Sequence, residues 1–136
     1  MARRLAALTE SAGCQWNKHW TEDARSAYVS HNTPLKRAQG QQGVELSGVL
    51  AHLNKMLPDD AIITNGAGNY TVWIHRFYQY RKLGTELAPT NGAMGYGLPA
   101  AVAAKLAYPQ RTVVCFAGDG CFMMYPQELA TAMQFG

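Results

Sequence analysis

The chain reads as an α/β protein: a parallel sheet flanked by helices, preceded by further helices and a linker. Three observations predict it. The runs Ala61-Ile62-Ile63-Thr64 and Thr112-Val113-Val114-Cys115-Phe116-Ala117 are continuously apolar, as strands covered on both faces are. Helical patterns alternate with them, which is the order that builds a parallel sheet. Each run also leads into a glycine-containing loop, Gly66-Ala67-Gly68-Asn69-Tyr70 and Gly118-Asp119-Gly120-Cys121. Such loops, at the carboxyl edge of a parallel sheet, are where these folds bind ligands.

The elements follow in order. Leu5, Leu8 and Ala12 share one face of a short helix that Gly13 ends. Trp16, Trp20, Ala24 and Ala27-Tyr28 recur at helical spacing up to about residue 30. From Ser30 to Gly43 the periodicity is lost around Pro34 and the polar Gln39-Gly40-Gln41-Gln42-Gly43, so this stretch reads as a linker. The domain boundary therefore falls between 1–43 and 44–136. Leu46, Val49, Leu50, Leu53 and Leu57 make an apolar helix stripe closed by Pro58-Asp59-Asp60. After the first strand, Tyr70 to Tyr80 reads as an aromatic-rich helix with Trp73, Phe77 and Tyr80 inward. A loop around Thr85 to Gly92 leads to Gly95-Tyr96-Gly97-Leu98-Pro99 and an Ala-rich helix to Ala107. Pro109-Gln110-Arg111 turns into the second strand. Tyr125 to Phe135 reads as helical again, with Pro126 tolerated in its first turn.

Bulk composition excludes several function classes. A net charge of +3 on 136 residues, spread over Arg3-Arg4, Lys36-Arg37 and Arg81-Lys82, does not form a nucleic-acid stripe. No apolar run has the length of a membrane span, and Thr9-Glu10-Ser11 cuts short the signal-like start, so a cytoplasmic setting is expected. Cys14, Cys115 and Cys121 are an odd set without C-x-x-C spacing, and His19, His31, His52 and His75 lack ligand spacing. Cys115 reads as core. Cys121, at a helix start, reads as a backbone donor rather than a nucleophile.

Gly118-Asp119-Gly120 after a buried strand carries the most chemistry. The carboxylate suits a hard cation, and the neighbouring N–H groups suit phosphate oxygens. Other phosphate motifs fit less well. Gly66-Ala67-Gly68 opens like G-x-G-x-x-G, yet position 71 is Thr71, and no Gly-Lys-Ser/Thr exists for a Walker loop. The remaining candidate pairs Gly118-Asp119-Gly120 with Gly92-Ala93-Met94-Gly95-Tyr96-Gly97-Leu98-Pro99-Ala100-Ala101.

This pair, in this order around an intervening helix, resembles the diphosphate-binding domain of thiamine-diphosphate enzymes. The acetolactate synthase branch is the nearest likeness, with pyruvate oxidase and benzoylformate decarboxylase as relatives. The resemblance covers about Leu46 to Gly136, and residues 1–43 are similar to the end of that family's middle domain plus a linker. It implies a truncated thiamine-diphosphate-binding fold. It further implies that Asp119 ligates a Mg²⁺ bridging the two phosphates, and that the N–H groups of Gly118-Asp119-Gly120-Cys121, chiefly Gly120 and Cys121, meet phosphate oxygens. The carbonyl of Gly92 would meet the amino group of the pyrimidine ring. Met94 would offer its N–H and wedge its side chain between the two rings. Gly68, Asn69 and Tyr70 would hold the diphosphate from the other side. Acetolactate synthases have Gly-Gln-His-Gln where this chain has Gly68-Asn69-Tyr70-Thr71; the Asn resembles the oxidase branch.

The resemblance also implies carbon–carbon chemistry on a small 2-oxo acid, FAD as a possible second cofactor, and a homodimeric or homotetrameric parent. No catalytic residue is expected in this chain, because the family's catalytic Glu belongs to an amino-terminal domain and the second magnesium-motif Asn follows later. The chain is expected to be an internal fragment, inactive alone. Plainer readings stand beside these. Met94 is core in isolation, Asp119 is a turn or cap, Asn69 and Tyr70 are structural, and Gly95 and Gly97 only permit close approach. A simple decarboxylase, a non-catalytic nucleotide or dinucleotide module, and a truncated reading frame that merely folds are the alternative functions.

Overall fold

A computed structural model describes residues 2–13, 17–34, 36 and 42–136. Trp16, Cys14 and residues 35 and 37–41 of the expected linker lie outside them. The chain divides into two compact units, Met1–Thr33 and Pro34–Gly136.

The first unit holds α1 (Ala2–Ser11) and α2 (Lys18–Asn32). Asn17 caps α2, its side-chain oxygen accepting the Trp20 N–H at 3.2 Å. The residues that marked the apolar faces stay open: Leu5 is 57 %, Leu8 58 % and Trp20 71 % exposed. Helical spacing fits both helices, yet among the described residues these faces bury no core.

The second unit runs α3 (Leu46–Met56), β1 (Ile62–Asn65), α4 (Tyr70–Phe77), β2 (Glu86–Leu87), α5 (Gly97–Ala107), β3 (Val113–Phe116), α6 (Asp119–Met124) and α7 (Glu128–Gln134). Its three strands are parallel in the order β2-β1-β3. Ile63 lies opposite Val114 on one side and Glu86 on the other. The expected α/β architecture is therefore present. β1 is buried along its whole length, as its continuous apolar run requires.

Alternation along β1 sends its side chains to two layers. Ile63 joins Leu50 of α3 and Ile74 and Phe77 of α4 in one core, with Val114 and Phe116 packed against it. Thr64 points the other way, its hydroxyl donating to the Gly97 carbonyl of α5 at 2.8 Å. Trp73 and Phe77 stack at 5.7 Å. Burying the four cluster side chains contributes on the order of 1.5–3 kcal/mol each.

Three boundaries differ from expectation. α4 ends at Phe77, and Tyr80 reaches the core from the extended segment beyond it. Asn54 fixes that segment by donating to the Phe77 carbonyl at 2.8 Å and accepting from the Gln79 N–H at 2.9 Å. β2 was expected as loop; it is two residues long and exists through its pairing with β1. The helix expected over 125–135 is shorter: α7 covers only Glu128–Gln134, and Pro126 lies in the turn between α6 and α7 rather than in a first helical turn. Proline disfavours helical backbone at the residue before it, and Tyr125 accordingly has φ −140° and ψ 47°. Among the described residues no helix is long and apolar enough to cross a membrane.

Candidate functional site

Three loops meet at the carboxyl edge of the sheet. The first leaves β1 at Gly66, the second precedes α5 through Gly92–Tyr96, and the third leaves β3 at Gly118 and opens α6. Their meeting is visible in what their glycines exclude. A Cβ on Gly120 would lie 3.1 Å from the Met94 Cε, so the two halves of the joint motif are in contact. A Cβ on Gly95 would lie 2.5 Å from the Tyr125 ring and 2.7 Å from the Met124 Cβ. Gly95 also has φ 85°, so a side chain there is barred by space and by conformation together. Behind it, a Cβ on Gly97 would come within 2.9 Å of the Asn65 and Gly66 backbone.

Asp119 is exposed in the first turn of α6, where a carboxylate is favoured by the helix dipole. One carboxylate oxygen accepts the Gly120 N–H at 2.8 Å. Gly118 is the N-cap and brings no side chain of its own. Met94 is 45 % exposed beside this edge. Gly92 has φ 70° and open space around its Cβ direction. Gly68 and Asn69 are exposed at the start of α4, and the Gly68 carbonyl accepts the Thr71 hydroxyl at 2.8 Å. Among the described residues no group of three or more His, Cys, Asp and Glu side chains could hold a metal unaided. A cation at Asp119 would need ligands from a bound group, as Mg²⁺ shared between a carboxylate and phosphates has.

Tyr70 and Cys121 behave differently from the rest of the set. The Tyr70 hydroxyl accepts the Gly66 N–H at 3.0 Å and donates to the Cys121 sulfur at 3.4 Å. That sulfur also accepts the Gly95 N–H at 3.4 Å and donates to the Ala67 carbonyl at 3.0 Å. Burial, helped by Cys121, pushes the Tyr70 hydroxyl up to about 12, so it is a donor across the whole neutral range; the N–H groups of Gly66 and Gly118 pull weakly the other way. Sequence reasoning gave Cys121 only a backbone role and missed its thiol, whose partners lie 51, 54 and 26 positions away. No local pattern signals contacts of that range. Gly95, by contrast, had a signal in the glycine density of 92–97.

Hollows lie elsewhere among the described residues. One of about 180 Å³ lies between α3, α4 and the end of β3, lined by apolar side chains such as Leu46, Val49 and Trp73, with Tyr70 at one wall. A larger one of about 620 Å³ is the open flank of α2, lined by residues of that single helix from Thr21 to Ser30. Two more, of about 230 and 250 Å³, lie along α4 at Asn69, Trp73 and Arg76 and between α5 and the end of α7 at Lys105, Leu106 and Phe135. The candidate site is the three-loop edge, where the glycine-rich segments converge.

Comparison with known proteins gives the family. Residues 66–136 match the family model described as thiamine pyrophosphate enzyme, C-terminal TPP binding domain. Acetolactate synthase 3, chloroplastic, of Brassica napus is 46 % identical over 117 residues, covering 85 % of this chain and 17 % of that protein. The acetolactate synthase large subunit of Lactococcus lactis is 32 % identical over 122 residues, 89 % of this chain and 20 % of that protein. The acetolactate synthase of Arthrospira platensis is 44 % identical over 103 residues, 76 % of this chain and 18 % of that protein. The chain thus spans a fifth or less of the length of these relatives.

Proposed function

The chain belongs to the thiamine pyrophosphate enzyme family through its C-terminal TPP-binding domain, and on that premise we propose that it holds the diphosphate end of the cofactor in a 2-oxo acid carboligase of acetolactate synthase type. Thiamine diphosphate is the same compound as thiamine pyrophosphate. When bound, it supplies the carbon chemistry for cleaving and joining bonds next to a carbonyl. This chain's own residues bind and orient.

The residues present fit that group. The contact of Met94 with Gly120 puts an exposed apolar side chain beside an exposed carboxylate, which is what a ligand with an apolar ring system and a charged tail asks for. That juxtaposition is the observation that carries the reading. Asp119 would hold Mg²⁺ against the phosphates, and the N–H groups of Gly120 and Cys121 would face phosphate oxygens. Gly92 and Met94 would hold the pyrimidine ring through backbone groups, with the Met94 side chain as the wedge between rings. Gly68 and Asn69 would close the other flank of the diphosphate. The first loop argues against a dinucleotide module, because the space beside Gly66 is taken by the Cys121 sulfur and the Tyr70 hydroxyl.

The parent is proposed to use a small 2-oxo acid, to assemble as a homodimer or homotetramer, and to work in the cytoplasm. FAD is reserved for the parent, and the chain alone is proposed to be inactive. Thermal unfolding with and without thiamine diphosphate plus Mg²⁺ tests the cofactor reading. Stabilisation that EDTA abolishes supports it. Stabilisation by NAD or FAD instead, with none from thiamine diphosphate, overturns it.

A further inference from the structure

We propose that the Tyr70 hydroxyl and the Cys121 thiol are a matched positioning pair that locks the three site loops together, and that cofactor affinity depends on this lock. The second clause rests on the thiamine-diphosphate reading of the site; the first does not.

The hydrogen bonds form one directed set in which no group is asked to do two incompatible things. The Tyr70 oxygen accepts from Gly66 and donates to sulfur. The sulfur accepts from Tyr70 and Gly95 and spends its one proton on Ala67. Gly66 and Ala67 belong to the first loop, Gly95 to the second and Cys121 to the third. Met94, the proposed wedge, is the neighbour of Gly95. Asp119, the proposed metal ligand, lies in the same turn of α6 as Cys121.

Sulfur contacts are individually weak, but Cys121 is only 4 % exposed. A buried donor or acceptor that loses its partner there is not compensated by water. Shape adds to this. A Cβ on Gly66 would lie 2.5 Å from the sulfur, so the thiol fills the space that a side chain on Gly66 would need. A serine oxygen, on a shorter bond to carbon, would fall back from three partners at once. The ring of Tyr70 packs against both flanking glycines, 3.0 Å from a Cβ on Gly68 and 3.1 Å from one on Gly118, so Tyr70→Phe keeps the ring and removes only the hydroxyl.

The test uses the full chain as wild type, Tyr70→Phe, Cys121→Ser and the double variant. Without ligand, iodoacetamide labelling of Cys121 is followed by peptide mass spectrometry with Cys115 as reference, and Gly95 amide exchange by NMR. Affinity for thiamine diphosphate with Mg²⁺ is then measured by calorimetry well below the melting temperature. Tyr70→Phe is expected to speed Cys121 labelling and Gly95 exchange about tenfold and to weaken cofactor binding by a similar factor. The double variant should lose little beyond either single one. A merely structural role would lower the melting temperature and leave additive losses.

Unchanged labelling and exchange in Tyr70→Phe, or additive losses in the double variant, overturn the lock. Altered labelling with cofactor affinity unchanged overturns its role in binding. Absence of binding by the wild type overturns the cofactor reading and the binding role with it, while labelling and exchange still decide the lock.

Discussion

The loops leaving β1 and β3 begin at neighbouring parallel strands and reach a glycine at once or after Ala117, yet they differ in what they bury. The β1 loop turns inward: Gly66 is buried, and its N–H, together with the Ala67 carbonyl, is taken up by Tyr70 and Cys121. The β3 loop turns outward, with Asp119 exposed and its carboxylate bonded only to the adjacent Gly120 N–H among the contacts described. Burial of the strands explains the contrast. β1 is central and sealed on both faces, whereas β3 is an edge strand, half-buried throughout. At the start of the β1 loop the space is filled by these contacts, while Gly68 and Asn69 further along it are exposed. Gly66 and Ala67 therefore act as a support, and Asp119 as the proposed grip.

The sharpest way to break this comparison is Asp119→Ala. On the proposed reading it removes the protein's metal ligand, so affinity for thiamine diphosphate with Mg²⁺ should fall by more than about 100-fold, beyond what loss of a group merely supporting a ligand costs. Stabilisation at saturating cofactor, about 2.7 kcal/mol at one hundred times Kd, should vanish. Unfolding of the ligand-free chain should change by no more than about 1 kcal/mol, since only a helix-end contact is lost. A thermal shift that survives the substitution would remove Asp119 from the grip.

Alanine at Gly66 and at Gly118 sharpens the same contrast with a smaller effect. At Gly66 the new methyl meets the buried Cys121 sulfur at 2.5 Å and the Gly95 backbone nitrogen at 3.3 Å, so the cost should be about 2–3 kcal/mol in urea unfolding. At Gly118 it meets only the Tyr70 ring at 3.1 Å, on backbone with φ −72° that any residue adopts. That variant should lose under about 1 kcal/mol. Equal losses at the two positions would mean that the first loop is no more tightly packed than the second.

How far these roles were legible in sequence depends on the range of the contact. β1 and β3 were legible because a continuous apolar run has few other uses, and Gly118-Asp119-Gly120 because it follows one directly. That Met94 and Gly118-Asp119-Gly120 belong to one site was expected from the joint resemblance of two motifs and from no single residue. β2 was not legible, since Glu86-Leu87 becomes a strand only through Ile63 and Thr64 of β1. The start of α7 was legible and misread: Pro126 was placed in its first turn, whereas the helix begins at Glu128. On α1 and α2 the spacing of Leu5, Leu8 and Trp20 gave helices correctly and said nothing of what covers them. The Cys121 thiol was beyond reach, because its role exists only once three loops have met.

The smallest effect expected concerns pH and separates the inward loop from the outward one without any ligand. The Tyr70 hydroxyl ionises at about 12 in the folded chain against 10.0 when free, burial being the main cause. The folded state thus holds this proton longer than the unfolded state does. The contribution is whole below pH 10, falls as pH rises from 10 to 12 because the unfolded chain ionises first, and is gone above that window. Tyr78, Tyr80 and Cys115 are raised in the same direction by burial, so the wild-type curve alone does not isolate Tyr70. The difference between wild type and Tyr70→Phe does, because the other three groups are common to both. Urea unfolding at pH 8, 10 and 11 should show the wild-type advantage constant up to the start of the window and shrinking inside it. A difference that stays level to pH 11 would mean that the hydroxyl is solvated, and the β1 loop would then be as open as its neighbour.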